Sequence, residues 1–349
     1  MGTFPKLPLD MTTETPSTAG ELLTVETVGP YLVARGVFSD PEGVQAIELG
    51  GGVSNVVLAA SREGLRVVVK QALDRLRVQD EWLAPRERAI NEGEALRVAA
   101  RIAPGCVPAA LDVDRERCAL TIEAAPEGWV AWKERLLAGD ADPAVASRLG
   151  DILAAVHRET FRDDDIARTF GDTEAFDQLR IDPYYRTVAR RLPELAAAID
   201  GYISRMQRTR VCLVHGDYSP KNVLVGDGVW AIDFEVAHLG DPVFDVAFML
   251  NHLLLKGIAR PGARGDLDAC ARAFWTSYSG AVPAELLPDV PYLLGHVGCL
   301  MVARVDGKSP VEYLSPAERE TARALGSQLL LAPPDSLDAA LTAARRASA

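Results

Sequence analysis

Cysteine is scarce and never clustered: Cys106, Cys118, Cys212, Cys270 and Cys299 are odd in number, far apart and outside any CxxC pair. A disulfide framework or a zinc site needs cysteines at short, paired spacings, so neither is indicated and the five read as reduced core residues. Lysine is nearly absent from the positive charge: only six occur, at 6, 70, 133, 221, 256 and 308, so each one inside an apolar pattern stands out. Basic charge is in deficit overall, with 37 Lys+Arg against 49 Asp+Glu for a net charge of −12. A general binder of nucleic acid or of anionic membrane carries the opposite sign, so neither partner is expected and a cationic or neutral small molecule suits the balance better. No run of about 18 apolar residues occurs, and residues 1–20 lack the apolar centre of a secretory leader, so a cytoplasmic protein is expected. Met1-Gly2 opens like a myristoylation signal, but Lys6 stands where Ser or Thr is needed.

What is present is a chain of 349 residues, 48% apolar, long enough for two units, since single cores stop growing near roughly 250–300 residues. After a tail at 1–20 that reads as disordered, residues 21–123 read as a small β-rich unit. VQAIEL, VSNVVLAA and LRVVVK are three antiparallel strands, the last two joined by the turn Arg62-Glu63-Gly64. Pro85 opens a helix to about 103, with Ala89, Glu92, Leu96 and Ala99 on one face, and strands near 109–113 and 118–123 follow. Residues 124–349 turn to Ala/Leu-rich helical segments near 129–138, 143–160, 183–206, 243–258, 265–280, 290–304 and 316–347, interrupted by the short β-runs VCLV, NVLVG and VWAID. An α+β fold of two lobes is implied, the first five-stranded and antiparallel with one helix, the second mostly helical.

Chemistry concentrates in the β interruption. His215-Gly216-Asp217-Tyr218-Ser219-Pro220-Lys221-Asn222 lies between apolar β-runs, and Ile232-Asp233-Phe234-Glu235 ends the hairpin that follows. Asp217, Asn222 five residues on and Asp233 on the adjacent strand bring three oxygen donors to one point. Phosphoryl transfer needs that set: one carboxylate to orient a hydroxyl and take its proton, an amide and a carboxylate to hold Mg²⁺ against phosphates. Upstream, Gly50-Gly51-Gly52-Val53-Ser54-Asn55 lies between two strands, where glycines let backbone amides approach a phosphate; Asn55 takes the last glycine position of GxGxxG. Lys70 ends the strand VVVK, and Glu92 lies on the next helix, with Glu94 two residues away as a competitor. Gly307-Lys308-Ser309 ends like a P-loop, but Val302 stands where its first glycine belongs.

From about Ala46 to Leu314 the chain resembles the superfamily of aminoglycoside phosphotransferases, choline kinases and methylthioribose kinases, relatives of the protein kinase fold. The HGDxxxxN loop followed by a hairpin and IDFE carries the resemblance. It implies ATP and Mg²⁺ as cofactors, Asp217 as catalytic base or hydroxyl orienter with Lys70 beside it, and Asn222 and Asp233 as magnesium ligands. Lys70 would hold the α/β-phosphates with Glu92 as its partner. Gly51, Gly52, Ser54 and Asn55 would cover the phosphates, and Glu123 to Ala125 would form a hinge whose backbone groups hydrogen-bond adenine. His215 and Asp245 are expected to support the loop, and Asp241 either caps the following helix or faces the acceptor.

Only Phe234 to Gly240, seven residues, separate Asp233 from Asp241, which leaves no room for the segment with which protein kinases dock peptides, so a small hydroxylated acceptor is expected. GWVAWKERLLAGD, PYYR and the DxE at Asp233 lean toward methylthioribose kinases, with Glu235 as a further metal- or acceptor-facing carboxylate. Asn222 instead matches the aminoglycoside and choline kinase pattern. Arg304, at the end of a helix in LMVARVDGKSP, is expected to contact acceptor or phosphate. A catalytically silent regulator is the competing reading; it would lack one of Lys70, Asp217, Asn222 or Asp233, and all four are present.

Overall fold

The computed structural model describes residues 21–50, 54–75 and 84–348. Residues 1–20, Gly51 and Gly52 lie outside them, so the expectations attached to those positions do too.

The first lobe is one antiparallel sheet in the order β1-β2-β3-β5-β4, made of β1 (Gln45–Glu48), β2 (Asn55–Arg62), β3 (Leu65–Ala72), β4 (Ala110–Asp114) and β5 (Ala119–Glu123). β2 and β3 join by a two-residue loop in which Glu63 and Gly64 both take positive φ, 51° and 84°, the turn whose twist matches paired strands. Val56, Leu58, Ala60, Val67 and Val69 fall on the buried face of this hairpin and pack on α1 (Val28–Ala34), a short helix that carries no clear periodic signal in the sequence. α2 (Arg88–Ile102) lies against β4 and β5 with Ala89, Glu92, Leu96 and Ala99 inward.

The second lobe begins with β6 (Val130–Ala131), α3 (Trp132–Leu137), α4 (Pro143–Glu159), α5 (Asp164–Thr169) and α6 (Glu174–Phe176). Where the sequence suggested one helix over 183–206, there is a wide π-helical segment over Asp177–Arg186, then α7 (Thr187–Arg191) and α8 (Pro193–Arg208). Pro193 forces the break, because it has no N–H to donate and drives Leu192 out of the helical region, to φ −128°. β7 (Cys212–Val214), β8 (Val223–Val225), β9 (Val229–Ala231) and β10 (His238–Gly240) follow; β10 pairs with β7, and β6, β8 and β9 form a second small sheet.

The remaining helices are α9 (Val243–Ala259), α10 (Arg264–Ala281), α11 (Val290–Asp306), α12 (Pro316–Leu331) and α13 (Leu337–Ala347), the expected last helix being cut in two after Leu331, near Pro333 and Pro334. All of α9 is buried, with α10, α11 and α12 packed around it. α11 and α12 approach backbone to backbone: a methyl on Gly298 would meet Gly326 O at 2.5 Å. The five cysteines are buried and free. Among the described residues no helix is long and apolar enough to cross a membrane.

Candidate active site

The loop from β7 to β8 is held from below by α9. Asp245, fully buried in the first turn of that helix, accepts His215 N at 2.7 Å and Gly216 N at 2.8 Å on its two oxygens. His157 from α4 lies 3.3 Å from the same carboxylate. Gly216 sits at φ +77°, and a Cβ there would fall 2.7 Å from Val236 O, so the bend admits only glycine. His215 accepts Asp217 N on Nδ1 at 3.1 Å, which leaves Nε2 to carry the proton it donates to Ile232 O, also at 3.1 Å. Burial pushes this imidazole below its ordinary pKa against the pull of Asp245, so it spans the hairpin as a neutral brace.

Three donors converge on Asp217 Oδ2: Asn222 Nδ2 at 2.7 Å, Arg180 Nη2 at 2.9 Å and Lys221 Nζ at 3.4 Å. Among the described residues no hydrogen bond engages Oδ1, so that oxygen is free for a ligand. Asn222 spends its NH₂ on the side chain and carbonyl of Asp217, which leaves its amide oxygen as the outward donor. Ile232 N donates to Asn222 O at 3.0 Å and brings Asp233 alongside. Asp233 holds φ +71°, uncommon for a residue with a Cβ and a form of backbone strain that collects at functional sites.

Lys70 reaches down from β3 and bridges two carboxylates, Glu92 Oε1 at 2.7 Å and Asp233 Oδ1 at 2.5 Å. Burial works against its charge, but Asp233, Glu92 and Glu235 outweigh burial and keep the ammonium protonated. Burial also acts on Asp233, where Lys70 and then Lys221 prevail and hold the carboxyl well below its usual range. At Glu92 burial prevails over Lys70 and the carboxyl is raised. The competitor Glu94 lies at the surface with Arg97 and Arg115.

Other positions take partners that the sequence reading did not assign or had left open. Glu235 points away from the acceptor side and into the lobe junction, where it accepts Ser54 Oγ and Asn55 Nδ2, both at 2.9 Å, and Arg88 Nε at 3.2 Å. Ser54 and Asn55 thus spend their side chains on Glu235. At the hinge, Glu123 N and Ala124 N are taken by Ala109 O and Arg66 O, so of the three expected hinge amides that of Ala125 is the one left for adenine among the described residues. Asp241 does cap α9, accepting Val243 N at 3.0 Å, and its other oxygen accepts Tyr292 OH at 3.1 Å, in a separate cleft with Phe176, Met206 and His238. Burial pushes the Asp241 carboxyl up to about 6. The cause is direction: α9 starts at Val243, directly after Pro242, and the Asp241 side chain turns back over the helix end to reach Val243 N.

Arg88 and Arg180 carry no sequence signal. Arg88 is almost wholly buried and also donates to the carbonyls of Leu73, Ala84 and Pro85. Arg180 lies in the π-helical segment, whose irregular spacing hides it from any periodic pattern, and it donates Nε to Gly216 O at 2.8 Å. The donors available to a cation, Asn222 Oδ1 and the Asp233 carboxylate, are hard oxygens, which suits Mg²⁺. Among the described residues no group of three His, Cys, Asp or Glu gathers into a self-sufficient metal cluster, and Mg²⁺ characteristically takes one or two protein ligands and completes its shell with water and phosphate.

In sequence and in fold the chain is similar to known proteins. A methylthioribose kinase of Yersinia pseudotuberculosis is 29% identical over 271 residues, 69% of this chain and 66% of that protein, so the chain spans just under two thirds of that relative's length. In fold the chain is similar to a choline/ethanolamine kinase family protein of Mesorhizobium loti, with TM-score 0.50 and 17% identity over 92% of this chain and 99% of that one. It is similar also to an ethanolamine kinase of Plasmodium vivax, with TM-score 0.51 and 11% identity over 92% and 86%. The model of the phosphotransferase enzyme family matches residues 45–287, which takes in the sheet of the first lobe, the catalytic-type loop and α9; the chain belongs to that family.

Proposed function

We propose that the protein moves the γ-phosphoryl group of ATP to a hydroxyl of a small molecule. The observation that supports this most directly is the meeting of Asp217, Asn222, Asp233 and the Lys70–Glu92 pair at the junction of the two lobes. In this reading Asp217 Oδ1 accepts the acceptor hydroxyl and aims its oxygen at phosphorus. Arg180 and Asn222 lock Oδ2, so the carboxylate cannot rotate away. As the new P–O bond forms, the bond to the β-phosphate oxygen breaks, and the hydroxyl proton passes to Asp217. Lys70 neutralises phosphate charge, and Glu92 fixes its position. Bound Mg²⁺, held by Asn222 Oδ1 and Asp233, would supply charge neutralisation at the transferring group. His215 and Asp245 set the loop backbone and take no part in proton transfer.

The name of the Yersinia relative puts methylthioribose among the first acceptors to assay. Mg·ATP consumption against methylthioribose, choline, aminoglycosides, polyols and hydroxy acids tests the reading, with Asp217→Asn as the blank. Acceptor-dependent turnover lost in the blank supports it; turnover that survives Asp217→Asn, or failure to bind Mg·ATP at all, overturns it.

A further inference from the structure

The net charge of −12 conceals a buried basic cluster of the opposite sign beside Asp217. Arg180, on Asp217, lies 6.0 Å from the centre of the Tyr184 ring, and Arg304 from α11 lies 5.7 Å from the same centre. Arg304 Nη1 donates to Tyr184 OH and Ser309 Oγ, both at 3.0 Å, while its Nε is buried without a partner. Burial pushes the Tyr184 hydroxyl up, but Arg304 and then Arg180 outweigh it and hold it below its ordinary value. Beyond Arg304 stands Tyr313, its hydroxyl also buried and unpartnered, with the ammoniums of Lys256 and Lys133 at 5.3 Å and 6.0 Å from its ring centre.

The carboxylates nearby do not balance these cations. Asp217 takes Arg180 and Lys221, Glu312 takes Lys133, and Asp182 takes Lys308. Among the described residues Arg304 and Lys256 have no carboxylate partner. Lys256 is 1% exposed, and the nearest acceptor to its ammonium is a carbonyl one turn back, His252 O at 3.5 Å. Burial, then Lys133 and Arg304, push it down to about 7 against the pull of Glu312. A buried amine beside two cations and without a carboxylate sheds its proton readily, and it holds that proton where a bound anion supplies the negative charge. Arg304, with Nε unspent, presents the edge that grips a planar or tetrahedral oxyanion.

We propose that the acceptor is itself an anion, a small hydroxylated molecule whose carboxylate or phosphate end is held by Arg304, Lys256 and Tyr313 while its hydroxyl lies at Asp217. This rests on the phosphotransferase reading and names its substrate class. It reverses the inference from net charge, because the field an acceptor meets is set by the nearest few groups and not by the sum over the surface.

Calorimetric titration of the intact protein with four polyols of one chain length tests it: gluconate, sorbitol 6-phosphate, sorbitol and glucamine, each with and without saturating Mg·AMP-PNP. At least one anion is expected to bind about tenfold or more tighter than sorbitol, with glucamine weakest, and the tighter anion identifies the end group. Arg304→Gln and Lys256→Met should each erase most of that preference, and Arg304→Lys, which keeps the charge without the fork, should retain part of it. Lys256→Met keeps length and removes a buried charge, so it guards against loss of folding. Anions that bind no tighter than sorbitol, a preference unchanged in the variants, or displacement of the anion by Mg·AMP-PNP would each overturn the proposal, the last by placing the basic groups on nucleotide phosphates. Failure of the phosphotransferase reading shows separately, as no binding of Mg·AMP-PNP, and the anion preference of nucleotide-free protein then still decides.

Discussion

Arg88 of α2 reaches Glu235, beyond the catalytic-type hairpin, at 3.2 Å, and both side chains are buried. The pair joins the two lobes next to the end of the glycine loop, since Ser54 and Asn55 donate to the same carboxylate. Arg88→Met leaves Glu235 buried without its cation and is expected to destabilise the protein by about 3–5 kcal/mol in denaturant unfolding. Glu235→Gln keeps an acceptor for those donors and should cost less than half as much. Equal losses would show that the ion pair itself is not what matters there.

Asp217 and Asp233 should separate chemistry from nucleotide binding. Asp217→Asn is expected to lower kcat by about 10²–10⁴-fold with the dissociation constant for Mg·ATP changed little. Asp233→Ala should weaken Mg·ATP binding itself and leave Lys70 paired with Glu92 alone. Binding and turnover measured on both variants check the pair; identical profiles would mean that the two carboxylates do not divide the work.

Gly216→Ala puts a methyl against Val236 O at a backbone angle that favours glycine. Strain of this kind costs about 1–3 kcal/mol, and relief would come from moving the loop that carries Asp217. Lower kcat with nucleotide affinity nearly unchanged is expected, together with a lower unfolding midpoint. An unaltered kcat would show that the loop accommodates the methyl without shifting Asp217.

Acid should destabilise the protein before its ordinary, unshifted carboxylates titrate. Burial lowers the pKa of His215, holds His252 well below its ordinary value, and brings His238 to about 4 and His296 to about 3. In the unfolded chain these groups protonate near 6.5, so below that pH the unfolded state binds more protons and stability falls with pH down to the folded values. For His238 and His296 the loss is about 1–2 kcal/mol each between pH 7 and 5, at about 1.36 kcal/mol per unit, and His215 and His252 act in the same direction. Asp241 runs the other way: raised to about 6, it takes up its proton in the folded state first and so favours folding as pH drops through that value. The raised Glu92 carboxyl acts as Asp241 does, but two carboxyls do not offset four histidines, so urea unfolding at pH 7.5 and pH 5 should show a lower midpoint at pH 5; a flat or rising midpoint contradicts the assignment.

The loop and its hairpin were legible because Asp217, Asn222 and Asp233 are spaced by the turn geometry itself, and Lys70 because lysine is rare enough to stand out at a strand end. Arginine offers no such contrast: with 37 − 6 = 31 of them, Arg88 and Arg180 look like any other in the sequence, Arg304 stands out only by its place at a helix end, and only packing distinguishes a buried brace from a surface charge. Lys256 belongs to the same rare set, yet it drew no role, since a lone lysine near the end of an apolar helix reads as one that reaches solvent. The helices over 183–206 and 316–347 ran together because Ala and Leu favour helix across both sides of a break that Pro193, and then Pro333 with Pro334, impose.

Asp245 grips the backbone of His215 and Gly216 from the first turn of a helix that water does not reach. A loop fixed in that way takes its shape when α9 packs, and the entropy of ordering it is spent during folding, before any ligand arrives. A nucleotide or an acceptor then meets a finished surface, and its binding energy goes to alignment. The same arrangement ties function to the core: a substitution that shifts α9 by a few tenths of an ångström acts on Asp217 as surely as one beside it, so loss of activity and loss of stability should run together among core variants far from the site.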